Sequence, residues 1–552
     1  MAASVIETRA VARPSPGLAH PLQILAGGSG GSADLTTKMA SNVTVIGRIN
    51  QAHWAVVYGS LAILMAAVFV PMSLYRIVDG DEGTYLLVSR LVSEGQLLYH
   101  DFFYPQTFLL PYVYGGWMKL IGYSWYMARV LSAVFSIALG LLVYREAARL
   151  GGARAWGALA VVFFTFSSLV FGWYPLVKTF VLPTLLLFAA YAVLSWASRW
   201  RWVASGVLIG LAVDCRVYLI AVVPAFLLEL YLTEPDAKSR LSQCTRFGVG
   251  LVLALLPNEL FLLVEPRTFI FNIVGNQVIR TDFGFLGWME QKGDVALQLL
   301  AINRADGAAS FQFLVLFVPS FVSLVSGALS RERPSLVSMT AVSLLLVSLV
   351  PTPVYTQHFC IPIPFLVVSA VAFLATLARE ASGPRLRHLF AVLAVAYVVI
   401  SPLDFYRYTI GGDSVPGIMD KADVINWKLP TIRAVGRAID REVHVDRPLA
   451  ISLWPGYFVE TKAAILPGME NHFALMFSRR VKPLEVVQFK LMSYPELVWH
   501  FRSHTTDVIV LGNWTSWSNA PWMRSQIVEN GYVVKERIAG AEIYTLPPNG
   551  HR

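Results

Sequence analysis

The chain has 552 residues, 56% of them hydrophobic and only 14% charged, with a mean hydropathy of +0.57. A soluble domain carries about 25% charged residues, so this composition excludes an ordinary soluble protein and requires a surface that faces lipid. The net charge of +9 is spread over short loops between apolar runs, which reads as control of membrane topology and argues against a nucleic-acid partner.

Residues 1–53 read as a flexible cytoplasmic tail: Gly27 to Ser32 is GGSGGS, and Glu7, Arg9 and Arg13 interrupt any signal core. Apolar stretches near the ~20 residues that span a bilayer lie at about 54–75, 124–145, 155–173, 176–198, 246–264, 311–329, 336–351, 359–378 and 389–406. The block 202–232 is too long for one span and is broken by Asp214-Cys215-Arg216. Basic clusters occur at Arg145/Arg149/Arg154, Arg199/Arg201, Lys238/Arg240/Arg246, Arg331/Arg333 and Arg379/Arg385/Arg387. All fall on one side if the block is a hairpin of two short helices, as the positive-inside bias favours. The expected fold is an all-α polytopic domain over 54–406, with about eleven transmembrane helices in the plasma (inner) membrane. Loops 76–123, 265–310 and 351–358 are then external, with everything after about residue 407. Cys215, Cys244 and Cys360 are scattered and form no disulfide framework or metal spacing.

In loop 76–123, Tyr85, Val88, Leu91 and Val92 recur at helical spacing with Arg90, Ser93 and Glu94 on another side, which predicts an amphipathic surface helix over Thr84–Leu98. A second helix is expected over Leu109–Leu120. The segment 407–552 returns to soluble composition and reads as a small external α/β domain. Its expected strands are Leu449–Trp454, Asp507–Gly512, Tyr532–Arg537 and Glu542–Leu546, with helices near 421–441 and 521–530. No internal repeat is present.

Chemistry concentrates at Asp79-Gly80-Asp81-Glu82, directly after the first span. Three carboxylates this close, next to lipid, repel one another unless a cation compensates; such groups have perturbed proton affinity and suit acid–base work. Asp81 also stands where an N-cap is wanted and Glu82 suits a first helical turn, and these roles are compatible with chemistry. Asp101 is a second acid in the same loop, open to acceptor binding, to a divalent ion or to capping.

The run Asp81-Glu82-Gly83-Thr84-Tyr85 after span one resembles the GT-C glycosyltransferases, which include the protein O-mannosyltransferases and the aminoarabinose lipid A transferases. Tyr99-His100-Asp101, Tyr104-Pro105-Gln106, Gly122-Tyr123-Ser124, Ala128-Arg129-Val130 and Gln357-His358-Phe359 continue the resemblance, which covers about residues 54–410 in layout. It implies transfer of a sugar from a polyprenyl-phosphate donor to a lipid, glycan or protein acceptor of the cell envelope, on the outer face. Asp81 maps onto the catalytic acid, with Glu82 beside it. Some relatives place an Arg three residues after that Asp; here the position is Thr84, so phosphate contacts must come from elsewhere. Lys178, Arg216, Arg280 and His358 lie near external helix ends and are the candidates. Against them stand snorkelling of Lys178 to lipid headgroups and a structural pair of Arg216 with Asp214. Asp79, Tyr85, Asp101, Tyr104, Gln106 and Gln357 complete the expected substrate contacts. Relatives differ in metal dependence, so a divalent metal stays open.

The tail aromatics Trp454, Tyr457, Trp514, Trp517 and Trp522 suit sugar stacking or, more simply, core and interfacial anchoring. Glu470 and His472 are within sequence reach of the site only as a loop that folds over it, and a plain turn is the simpler expectation. Asn513-Trp514-Thr515 matches a glycosylation acceptor pattern that is frequent by chance. A transporter would place ionisable residues at mid-membrane and repeat its halves, and neither feature is present. A non-catalytic lipid-binding or assembly subunit is the other alternative, although both Asp81 and Glu82 are retained.

Overall fold

Three structural layers follow from the chain: a helical membrane part, two helices of the first long loop, and a C-terminal α/β part resting on them. The computed structural model describes residues 55–280, 284–303, 307–380, 384–412, 421–442, 447–514 and 520–547. The tail over 1–53, Thr515, Trp517 and the side chains of Arg385 and Arg387 lie outside the described residues. Residues 1–59 and 60–552 are separate units. The first is described only as the opening of helix α1 (Ala55–Tyr75), and the second holds the rest of the fold.

Six described helices are long and apolar enough to cross a membrane: α1, Trp125–Gly151, Ala237–Val264, Gly307–Leu329, Ile363–Glu380 and His388–Gly411. Five shorter apolar helices, Arg154–Thr165, Val181–Val193, Arg201–Val213, Val217–Thr233 and Leu336–Ser348, fall on the remaining expected spans. The block 202–232 is indeed two helices, parted at Asp214–Arg216. Local breaks explain other short helices. Arg154–Thr165 gives way to Ser168–Trp173, and Gln312 fills the gap: its Oε1 accepts from Ser168 N–H at 2.6 Å and its Nε2 donates to Phe166 O at 2.8 Å. Backbone groups freed inside an apolar layer need such partners. The helix expected from residue 176 begins only at Val181, because the segment before it folds into tight turns. Lys178 N–H donates to Leu176 O and Phe180 N–H to Lys178 O, at 3.0 and 2.8 Å.

The first long loop holds helices α2 (Glu82–Ser93) and α3 (Leu109–Ile121), which run against each other and lead into α4 (Trp125–Gly151). The C-terminal part covers α2, so that all residues from Glu82 to Leu91 are buried; α3 keeps exposed apolar residues at Tyr112, Leu120 and Ile121. Gly83 lies where a Cβ would meet Gly456 Cα at 2.7 Å, so close approach of the two parts requires glycine there. Arg90 donates to Phe458 O and Thr461 O at 2.6 and 2.7 Å, satisfying the buried carbonyls of that turn. Trp454 Nε1 donates to Gly80 O at 2.8 Å, and Trp125 N–H donates to Glu460 Oε1 at 2.7 Å. One apolar core runs across the junction, from Leu86, Tyr99 and Trp125 to Trp454, Val459 and Ile509.

The C-terminal sheet has the order β2-β1-β3-β5-β4, with β1 Leu449–Ser452, β2 Ala464–Ile465, β3 Val508–Leu511, β4 Val533–Ile538 and β5 Ala541–Thr545. β1 pairs in parallel with β2 and β3; β3–β5 and β5–β4 are antiparallel. The four strands read from the sequence are present, and the two-residue β2 is added. Helix Leu429–Glu442 buries Leu429, Ile432, Val435 and Ile439 at the spacing of one helical face.

Candidate active site

Asp81 stands at the N-cap of α2 but makes no side-chain cap. Its carboxylate is a third exposed and lines a cavity of about 390 Å³ between the membrane helices and the C-terminal part. That volume falls within the ~300–1,000 Å³ of small-molecule sites.

Lys178 does not snorkel. The tight turns before Val181 direct its side chain inward, where it is 3% exposed and meets Asp79 Oδ1 at 2.6 Å, Asp81 Oδ2 at 3.2 Å and Gln357 Oε1 at 3.3 Å. Two carboxylates thus share one ammonium. Burial raises the proton affinity of Asp79, although Lys178 opposes it. Burial would raise Asp81 as well, but the cations Lys178 and Arg280 outweigh it and hold that carboxylate below the usual range. Lys178 is kept protonated because the two carboxylates overcome its burial.

Arg216 is not paired with Asp214. It donates to Thr179 O at 3.2 Å and lies over the rings of Phe180 and Tyr218, while Asp214 accepts from Asn258 Nδ2. The hairpin break therefore turns the two charges apart. Arg280 lies over Phe473. Both arginines line the cavity with Tyr85, Tyr104, Gln106, Gln357 and His358. Burial, then Arg216 and Lys178, holds His358 neutral. Tyr104 OH, Arg216 Nε and Trp288 Nε1 are buried without a hydrogen-bond partner among the described residues, and all three belong to cavity-lining residues. Buried polar atoms rarely stay unpaired, so this wall takes up water or a polar ligand.

Three expected site residues do not line the cavity: Asp79, which lies behind Lys178, and Glu82 and Asp101, which lie elsewhere. Glu82 is fully buried in a two-pronged pair with Arg129, Nε–Oε1 2.8 Å and Nη2–Oε2 2.6 Å, and also accepts Val177 N–H at 3.1 Å. Its carboxylate is taken up by these contacts: it locks α2 to α4 and fixes the turn that carries Lys178. Asp101 accepts from Leu97 N–H at 2.7 Å and meets His100 at 2.8 Å on the surface, away from the cavity.

His472 belongs to the site, against the simpler expectation of a turn. Its Nε2 is 3.6 Å from Asp81 Oδ1, its Nδ1 is 3.1 Å from Thr84 Oγ1, and its ring stacks on Trp514. No local pattern marks it, because it lies 388 residues from Thr84 in the chain. Glu470 turns back to accept Gly468 N–H at 2.8 Å, and burial pushes its carboxyl up to about 8. Trp454 and Tyr457 are core residues beneath α2.

Among the described residues no three His, Cys, Asp or Glu side chains converge, and the carboxylates of Asp79 and Asp81 meet at the Lys178 ammonium instead.

Residues 105–260 match the family model for dolichyl-phosphate-mannose-protein mannosyltransferase. None of the curated proteins matches the sequence. Among solved structures, the chain is similar to ArnT from Cupriavidus metallidurans in the apo state, at TM-score 0.61 and 13% identity, over 91% of this chain and 100% of that one. The same protein bound to undecaprenyl phosphate gives TM-score 0.54 and 14% identity, over 91% and 99%. The chain thus shares the fold of ArnT and, over residues 105–260, resembles the mannosyltransferase family.

Proposed function

We propose that this protein is a membrane glycosyltransferase that moves a sugar from a polyprenyl-phosphate donor onto a cell-envelope acceptor, with Asp81 as general base. One observation carries the reading: a carboxylate and a cationic wall of Lys178, Arg216 and Arg280 face the same cavity, where Tyr104 OH, Arg216 Nε and Trp288 Nε1 lack partners among the described residues. Undecaprenyl phosphate bound to ArnT, on a shared fold, supports the donor class. The cavity is assigned to the outer, periplasmic face of the inner membrane, which the basic loops favour.

In this mechanism the acceptor oxygen attacks the anomeric carbon and gives its proton to Asp81. The bond from that carbon to the phosphate oxygen breaks, and its electron pair leaves with the polyprenyl phosphate, inverting the centre. Cations next to the departing oxygen stabilise its charge. Lys178 couples the two events. Before donor binding it holds Asp81 too acidic to be a strong base; a phosphate beside Lys178 adds negative charge there and raises the affinity of Asp81 for a proton.

Lys178→Ala is expected to weaken binding of undecaprenyl phosphate to the purified protein by roughly 10- to 100-fold, the range of one hydrogen bond to a charged group. Unchanged affinity removes Lys178 from the phosphate site. Mass spectrometry of envelope glycans and glycolipids with and without the gene tests the activity itself: one sugar should disappear from one acceptor, and an unaltered envelope rejects the transferase reading.

A further inference from the structure

We infer that His472, supplied by the C-terminal part, is the positioning residue that aims Asp81 at the acceptor hydroxyl. The inference rests on the reading of Asp81 as base. Asp81 has two oxygens, and each faces a different partner. Lys178 holds Oδ2 at 3.2 Å, and His472 Nε2 lies 3.6 Å from Oδ1. Nε2 is buried and has no hydrogen-bond partner among the described residues, and the charged group it faces is Asp81 Oδ1.

The ring around that nitrogen is fixed from two sides. Trp514 stacks on it with centroids 4.8 Å apart and planes 10° from parallel. Thr84 Oγ1 lies 3.1 Å from Nδ1. When the Thr84 hydroxyl donates to Nδ1, the ring proton resides on Nε2 and points at the carboxylate; the other tautomer would set a lone pair against it. The remaining charged groups near Asp81 are Lys178, Arg280 and Asp79, and burial holds His472 down at about 4, although Asp81 opposes it. The imidazole is therefore neutral at pH 7. Nε2 faces Oδ1 at 3.6 Å, and an approach of a few tenths of an ångström would make one orienting hydrogen bond to the carboxylate, with no full charge that would make Asp81 a weaker base. The C-terminal part completes the site, because no residue of the membrane helices faces Oδ1 at comparable distance among the ion pairs described.

The test uses the full-length protein in a strain lacking the gene, with the transferred sugar quantified by mass spectrometry at matched protein level and undecaprenyl-phosphate affinity measured on the purified protein. His472→Phe keeps the stack on Trp514 and loses the donor; His472→Gln keeps a donor. Phe is expected to lower product formation by roughly 10- to 100-fold, the range of losing one hydrogen bond to a charged group, and Gln to restore most of it. Lipid affinity should stay within about threefold in both. Thr84→Val, which leaves His472 in place but frees its tautomer, should reproduce a several-fold loss and serves where a His472 variant fails to fold. Wild-type output from His472→Phe, or a Gln variant as poor as Phe, overturns the inference. An active Asp81→Asn would instead reject the base assignment beneath it.

Discussion

Asp81→Asn is expected to lower sugar transfer by roughly 10²- to 10⁴-fold, the contribution of a general base, while leaving binding of undecaprenyl phosphate intact or tighter. The two halves of this expectation come from different atoms. Asn keeps the shape and a carbonyl oxygen that can accept from Lys178 Nζ, now 3.2 Å from Asp81 Oδ2, so the cavity wall persists. It cannot take the acceptor proton. It also removes a negative charge beside the position assigned to the lipid phosphate, which reduces repulsion of the anion. Product formation and lipid affinity measured on the same preparation separate the effects. Near wild-type turnover would remove Asp81 from the proton transfer, and a large loss of lipid affinity would recast it as a structural partner of Lys178.

Arg129→Met should be the most destabilising single change outside the cavity, by about 3–5 kcal/mol, because it strands Glu82 as an unpaired buried charge. Glu82 and Arg129 are both fully buried, and the guanidinium also donates to Arg76 O at 2.7 Å. The pair ties the end of α1 to α2 and α4, and through Val177 N–H to the turn that presents Lys178. Thermal unfolding in detergent measures the loss. The double variant Glu82→Gln/Arg129→Met should recover much of it, since a buried pair replaced as a whole is far less costly than one broken. Additive single and double effects would show that the two residues act independently.

These two residues also mark what the sequence reveals and what it hides. Asp81 was legible because a carboxylate next to the first span, among others, needs an explanation in charge or chemistry. Glu82 shares that location and composition, yet its environment is decided by Arg129 on a different helix, which adjacency in sequence does not encode. Lys178 shows the same limit: a lone basic residue near a span end suits a headgroup equally well, and only the tight turns before Val181 send it inward. The hairpin over 202–232 was readable because the charges in the flanking loops fix its parity. His472 was not, since a single imidazole in a soluble-looking loop carries no pattern; its role comes from the closure of the C-terminal part over α2, where Gly83 and Gly456 allow contact. The strands of the sheet were legible as short apolar runs between turn residues, whereas two-residue β2 is too short to give a pattern.

The most direct test is a structure of the protein with undecaprenyl phosphate bound. The phosphate is expected in the 390 Å³ cavity, within hydrogen-bond distance of Lys178 and of at least one of Arg216 and Arg280, with room for a sugar between it and Asp81. A phosphate seated outside that cavity, or one bound within it with none of these three cations in reach, contradicts the proposed site.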